Sequence, residues 1–156
     1  MQISLFRGVA VLLCVASTAH AGVLLERSER QVFGSQFLLN QKCTINVNEA
    51  NPLIKDKGQL IKQYDIDGML TKEITPMQLS ADAIKLIINQ AATGKITVKP
   101  YIFDSPIISH KAYWKTAAGP VKTVILHESN GYNAKETSND SPAVQPLIAL
   151  IEANCK

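Results

Sequence analysis

The chain has 156 residues, 46% hydrophobic and 19% charged, with a formal net charge of +3. That length suits one domain around one core, and the balance argues against a disordered or fibrous chain. So weak a charge, without a stripe of lysine or arginine interleaved with aromatics, gives no footing for nucleic-acid binding.

The first stretch, MQISLFRGVAVLLCVASTAHA, has the layout of a secretory signal peptide. Arg7 supplies the positive start, Val9 to Ala16 the apolar run, and Ala19-His20-Ala21 the small-residue cleavage pattern. The run is shorter than the roughly 20 residues of a membrane span. A buried N-terminal helix is the competing reading. Leu13 stands before Cys14 where a lipoprotein signal needs a small residue, so a lipid anchor is not expected. The expectation is a signal peptide over 1–21 and a single globular secreted domain over 22–156, periplasmic or extracellular. Losing Arg7 lowers the charge to about +2. No later stretch is long and apolar enough to cross a bilayer, and a monomer is expected.

Residues 22–35, GVLLERSERQVFGS, fit either a short helix or a loose arm. FLLNQKCTINV, within 36–47, alternates from Asn40 onward and puts Cys43, Ile45 and Val47 on one apolar face, as in a half-buried strand. NEANPLIKDKG reads as a loop. Lysines 55, 57 and 62, interrupted by Asp56 and Asp65, read as a solvated face.

QLIKQYDIDGMLTKEIT is the clearest local signal. Asp67-Gly68 favours a two-residue hairpin turn with positive φ, which sets Ile66 against Met69, Tyr64 against Thr71 and Lys62 against Glu73. The same aspartates resemble the start of a calcium loop, but its twelfth position is Pro76 where a Glu is required. TPMQLSADAIKLIINQAATG then predicts a helix over 76–93. Thr75 and Gln78 make a capping box, Pro76 opens the helix, and Gly94 stops it. Met77, Ile84, Ile87, Ile88 and Ala91 form its apolar stripe, while Leu79 and Leu86 suggest a wide buried face.

KITVKP alternates as a strand, with Pro100 marking an edge or a bend. SPIISHKAYWKTAAGP reads as a short strand or a hydrophobic loop, and VKTVILHE as a strand. SNGYNAKETSND reads as a long polar loop over 129–140. A last helix begins near Ser141-Pro142, or at Pro146, and aligns Val144, Ile148, Ile151 and Cys155.

With Cys14 removed, Cys43 and Cys155 have only each other. Export places them where disulfides persist, and each lies on the apolar side of its own element. The expected architecture is therefore α+β: one small domain, an antiparallel or mixed sheet of about five strands, two main helices on one face, and a Cys43–Cys155 disulfide from an early strand to the C-terminal helix.

No spacing names a reaction. Two distant cysteines and scattered histidines make no zinc site, so neither metal nor cofactor is expected. His127 sits beside Glu128 and Ser129, and His110 follows Asp104 and Ser105, without the glycine-rich loops of a serine hydrolase. Asn139-Asp140-Ser141 matches a glycosylation pattern with Pro142 directly after it. Tyr101, Phe103, Tyr113, Trp114 and Tyr132 gather the aromatics in the second half, though Phe103 and Trp114 equally suit a core. Aromatics with a polar handle favour protein and glycan contacts. The candidate binding surface is His127, Glu128, Asn130, Tyr132, Tyr113 and Trp114, around the 129–140 loop. The expected function is a non-enzymatic binding domain, protein-binding or inhibitor-like, with a protein or glycan ligand outside the cytoplasm. The alternatives are a small hydrolase using His127 or His110 and a structural component of an envelope assembly.

Overall fold

The computed structural model describes residues 22–33, 36–48, 57–66, 68–100, 106–115, 120–131 and 134–156. The expected leader with Cys14 lies outside them, as do Tyr101, Phe103, Asp104, Ser105 and Tyr132. In chain order the elements are β1 (Gly22–Phe33), β2 (Gln36–Asn48), β3 (Lys57–Ile66), β4 (Met69–Gln78), α1 (Ala81–Ala91), β5 (Ile96–Pro100), β6 (Ile107–Lys115), β7 (Lys122–Asn130), β8 (Lys135–Asn139) and α2 (Val144–Cys155).

The strands form one sheet in the order β4-β3-β2-β1-β6-β7-β8-β5. Every neighbouring pair is antiparallel. The sheet therefore has eight strands, where about five were expected. The three extra ones have identifiable origins. Residues 22–33 are β1, at the centre of the sheet. Ile107–Lys115 form a full strand, β6, rather than a hydrophobic loop. Within the polar 129–140 stretch, β7 continues to Asn130 and β8 pairs with it, Lys135 opposite Asn130.

The β3–β4 hairpin has the expected register, with Ile66 opposite Met69, Tyr64 opposite Thr71 and Lys62 opposite Glu73. Gly68 has φ 82°, the region its turn requires. Asp65 Oδ1 accepts the Gly68 N–H at 3.1 Å, so this carboxylate serves the turn.

The first helix starts later than its sequence suggested. Strand β4 runs through Thr75 and Pro76, which pair with Leu60 and Gln59. Pro76 is tolerated because β4 is an edge strand. Ser80 is the true N-cap, and its hydroxyl accepts from the Ala83 N–H at 3.4 Å. The buried stripe is Ala81, Ile84, Ile88 and Ala91. Leu86 is 61% exposed, not part of a wide buried face. In α2 the fully buried stripe is Val144, Leu147, Ile151 and Cys155, with Ile148 only packed against its margin.

One core lies between the sheet and the two helices. Val23, Leu25, Cys43, Ile45, Val47, Ala112, Trp114, Val124 and Leu126 supply the sheet side, and the two helical stripes the other. Both helices contact β1 and β7; α1 also contacts β6, and α2 also contacts β2. Cys43 and Cys155 are disulfide-bonded with Cα atoms 5.7 Å apart and a sequence separation of 112. Closing so long a loop is worth about 4–5 kcal/mol in the chain-entropy model, so the bond pins the last turn of α2 to β2.

Candidate functional site

Side-chain alternation sorts the candidate residues onto two faces of the sheet. On β1, Val23, Leu25, Arg27 and Glu29 point toward the helices, and Leu24, Glu26 and Ser28 point away. On β6, Trp114, Ala112 and His110 lie opposite Val23, Leu25 and Arg27, while Tyr113 lies opposite Leu24.

The helix-side face carries a cluster of charge. His110 is 6% exposed, and its Nε2 stands 2.6 Å from Glu152 Oε1 on α2. Arg27 Nε donates to the same oxygen at 3.1 Å, and its Nη2 donates to Glu29 at 2.7 Å. Lys156 Nζ lies 3.2 Å from the other Glu152 oxygen. A bulge in the β6–β7 pairing brings the second histidine beside the first. His110 opposes His127 while Lys111 opposes Ile125, which leaves Leu126 as the extra residue. The two rings are 6.1 Å apart by centroid, and His127 Nε2 is 3.1 Å from Glu136 Oε1.

The surroundings of the His110 ring favour its neutral form. A neutral ring donating Nε2–H to Glu152 leaves Nδ1 as a bare acceptor, and that buried atom has no partner among the described residues. Protonating it would bury an N–H with nothing to receive it. Burial accordingly pushes His110 below the usual imidazole range, outweighing the Glu152 carboxylate beside it. For Glu152 burial acts upward, but the bonds from His110 and Lys156 and the charge of Arg27 outweigh it and hold the carboxyl below its ordinary range. This is base–carboxylate geometry. Each described hydrogen bond of a histidine ring goes to a glutamate. No group of three or more metal-binding side chains occurs among the described residues.

The opposite face holds an open cleft of about 480 Å³. Leu24, Tyr113 and Val121 form its apolar side, and Glu26, Lys42, Thr44 and Asn46 its polar side. The residues meet because their strands are adjacent: Leu24 is opposite both Tyr113 and Asn46, and Glu26 is opposite Thr44. Glu26 and Lys42 form an ion pair at 2.9 Å. The Tyr113 hydroxyl lies 3.5 Å from Glu26 Oε1, and burial, reinforced by that carboxylate, pushes the phenol up to about 12. The hydroxyl therefore stays a donor to Glu26 and orients the ring. A second groove of similar volume lies between α1 and the start of α2, by Leu86, Gln90, Thr93 and Pro142, without an aromatic or charged group.

The expected binding surface is thus divided. Tyr113 lines the cleft, and Glu128 is 3.7 Å from Lys111. His127 belongs to the helix-side cluster. Asn130 ends β7, opposite Lys135. Trp114 borders the cleft but is 7% exposed, packed in the core with Lys122 Nζ 5.1 Å from its ring centroid. The cleft residues Leu24, Glu26, Lys42, Thr44 and Asn46 went unnoticed in the sequence; alternation in β1 and β2 was the signal that could have found them. Asn139 is buried and donates both amide hydrogens, to Ala91 O at 3.0 Å and Ile125 O at 3.1 Å.

Comparison of the chain with protein-family models, with characterised proteins and with solved structures finds no match.

Proposed function

We propose that the chain is an exported, non-enzymatic binding domain whose ligand site is the cleft on the sheet face turned away from the helices. The observation that carries this reading is the meeting of Leu24 and Tyr113 with Asn46, Thr44 and the Glu26–Lys42 pair in one concave space. Small-molecule sites combine apolar walls with a few convergent polar groups in this way. The Cys43–Cys155 bond is compatible with an oxidising compartment, and the Ala19-His20-Ala21 pattern supports cleavage after residue 21.

The hydrolase alternative has less support. His110 and His127 are engaged with Glu152 and Glu136, and neither lines the two clefts described above. The assembly alternative draws on β4, an edge strand with Met69 72%, Leu70 67% and Ile74 54% exposed. The two edge strands also carry residues that discourage pairing, Lys72 and Pro76 on β4, Lys99 and Pro100 on β5. That favours a monomer.

The test is a titration of residues 22–156 with the amphipathic dye 8-anilinonaphthalene-1-sulfonate, followed by two-dimensional NMR. Shifts at Leu24, Asn46 and Tyr113, weakened in Val121→Asp, are expected. Shifts confined to other surfaces, or a hydrolytic activity abolished by His127→Ala or His110→Ala, would overturn the reading.

A further inference from the structure

We infer that the cleft takes an uncharged sugar ring, laid with its apolar C–H face on Leu24 and Tyr113 and its hydroxyls toward Asn46, Thr44 and the Glu26–Lys42 pair. The inference rests on the binding reading above and names the ligand of the same site.

Three observations select this chemistry. First, the floor of the cleft is made of β1, β2 and β6, each with a neighbouring strand on both sides. Their backbone groups are spent in the ladders, so an extended peptide would find no main-chain partners there. Strand addition needs an edge. Second, the two charges of the cleft neutralise each other at 2.9 Å. A phosphate or carboxylate ligand would have to break that pair, and Lys42 is the only cation among the described lining residues. Third, the cleft has one apolar side and one polar side. A pyranose has that same division, an apolar face and a rim of hydroxyls that both donate and accept. Asn46 supplies an amide that does both, Lys42 supplies donors, and Glu26 and Thr44 supply acceptors. The aromatic ring with a polar handle, Tyr113, is fixed by its bond to Glu26 rather than free to rotate away.

The experiment uses the 22–156 domain and four probes in separate NMR titrations. These are the β1,4-linked trimers of glucose and of N-acetylglucosamine, glucose 6-phosphate, and the dye of the previous test. The expected result is saturable shifts at Leu24, Asn46 and Tyr113 with at least one neutral trimer. Those shifts should weaken about tenfold in Tyr113→Ala, the scale of one lost stacked ring, and also in Val121→Asp at the exposed rim. Glucose 6-phosphate should bind no better than the trimers. If the dye shifts the cleft residues and neither trimer does, or if the phosphate sugar binds more tightly, the sugar inference is overturned while the binding reading stands. If neither dye nor trimer moves these residues, both fall.

Discussion

His110 on β6 and Glu152 on α2 meet at 2.6 Å, and with Arg27 they form the polar contact that complements the disulfide at the end of α2. Both groups titrate lower in the fold than in the open chain. His110 lies below its ordinary 6.5, so the unfolded chain takes up a proton there before the native state does. The stability it contributes is present above about pH 6.5 and is lost as pH falls toward the native value. Glu152 lies below its ordinary 4.5, so its contribution is present above that pH and lost further down. Urea midpoints should be level above about pH 7, decline below 6.5, and decline again below 4.5. His110→Gln should remove the first decline. A midpoint that rises between pH 7 and pH 5.5 would contradict this assignment.

Removing Glu152 leaves Arg27, His110 and Lys156 without their shared acceptor. Glu152→Ala should cost about 2–4 kcal/mol, because a half-buried pair is broken from one side. Chemical denaturation measures it. A cost below about 0.5 kcal/mol would mean the cluster behaves like an exposed surface pair.

The disulfide carries a separate prediction. Cys43→Ala with Cys155→Ala, or reduction of the native chain, should lower unfolding free energy by about 4–5 kcal/mol, the loop-entropy term for a closure of 112 residues. Non-reducing peptide mapping should find Cys43 and Cys155 in one linked peptide. Free thiols at both positions would refute the bond.

Asn139 acts as a bolt between α1, β7 and the start of α2. Its amide serves Ala91 O and Ile125 O, and its Oδ1 accepts the Ser141 N–H at 3.0 Å. Asn139→Ala should cost about 2–4 kcal/mol, since three partners lose their bond together, two of those bonds buried and one part-buried. Gly94 packs against the same corner. A Cβ there would collide with Asn139 Oδ1 and come within 2.7 Å of the Ser141 Cβ. Gly94→Ala should destabilise by about 1–3 kcal/mol. For the same reason the Asn139 pattern should stay unmodified when the folded chain passes through a glycosylating secretion route. Intact mass spectrometry checks this.

Elements whose signal is local were legible in the sequence. The β3–β4 register is read from the Asp67-Gly68 dipeptide, and Cys43 and Cys155 each follow the apolar period of one element. What stayed hidden depends on neighbours. In β1, Arg27 and Glu29 face the helices because Glu152 and each other satisfy them, so the strand lacks the apolar alternation that would announce it. Strand β8 is wholly polar, Lys135 to Asn139, and is held by ladders to β7 and β5 rather than by its own apolar face. Thr75 and Gln78 imitate a capping box, but pairing with β3 claims both residues first. The cleft draws on three strands whose order the sequence does not reveal. The meeting of His110 and His127 depends on a one-residue bulge that no periodicity marks.

Occupancy of the outer-face cleft is tested most directly by a crystal structure of residues 22–156 soaked with a neutral trisaccharide. The expected result is a sugar ring stacked on Tyr113 and Leu24, with a hydroxyl within hydrogen-bonding distance of the Asn46 amide. A ring found only beside Leu86 in the groove between α1 and α2, or an empty cleft at saturating sugar, would contradict it.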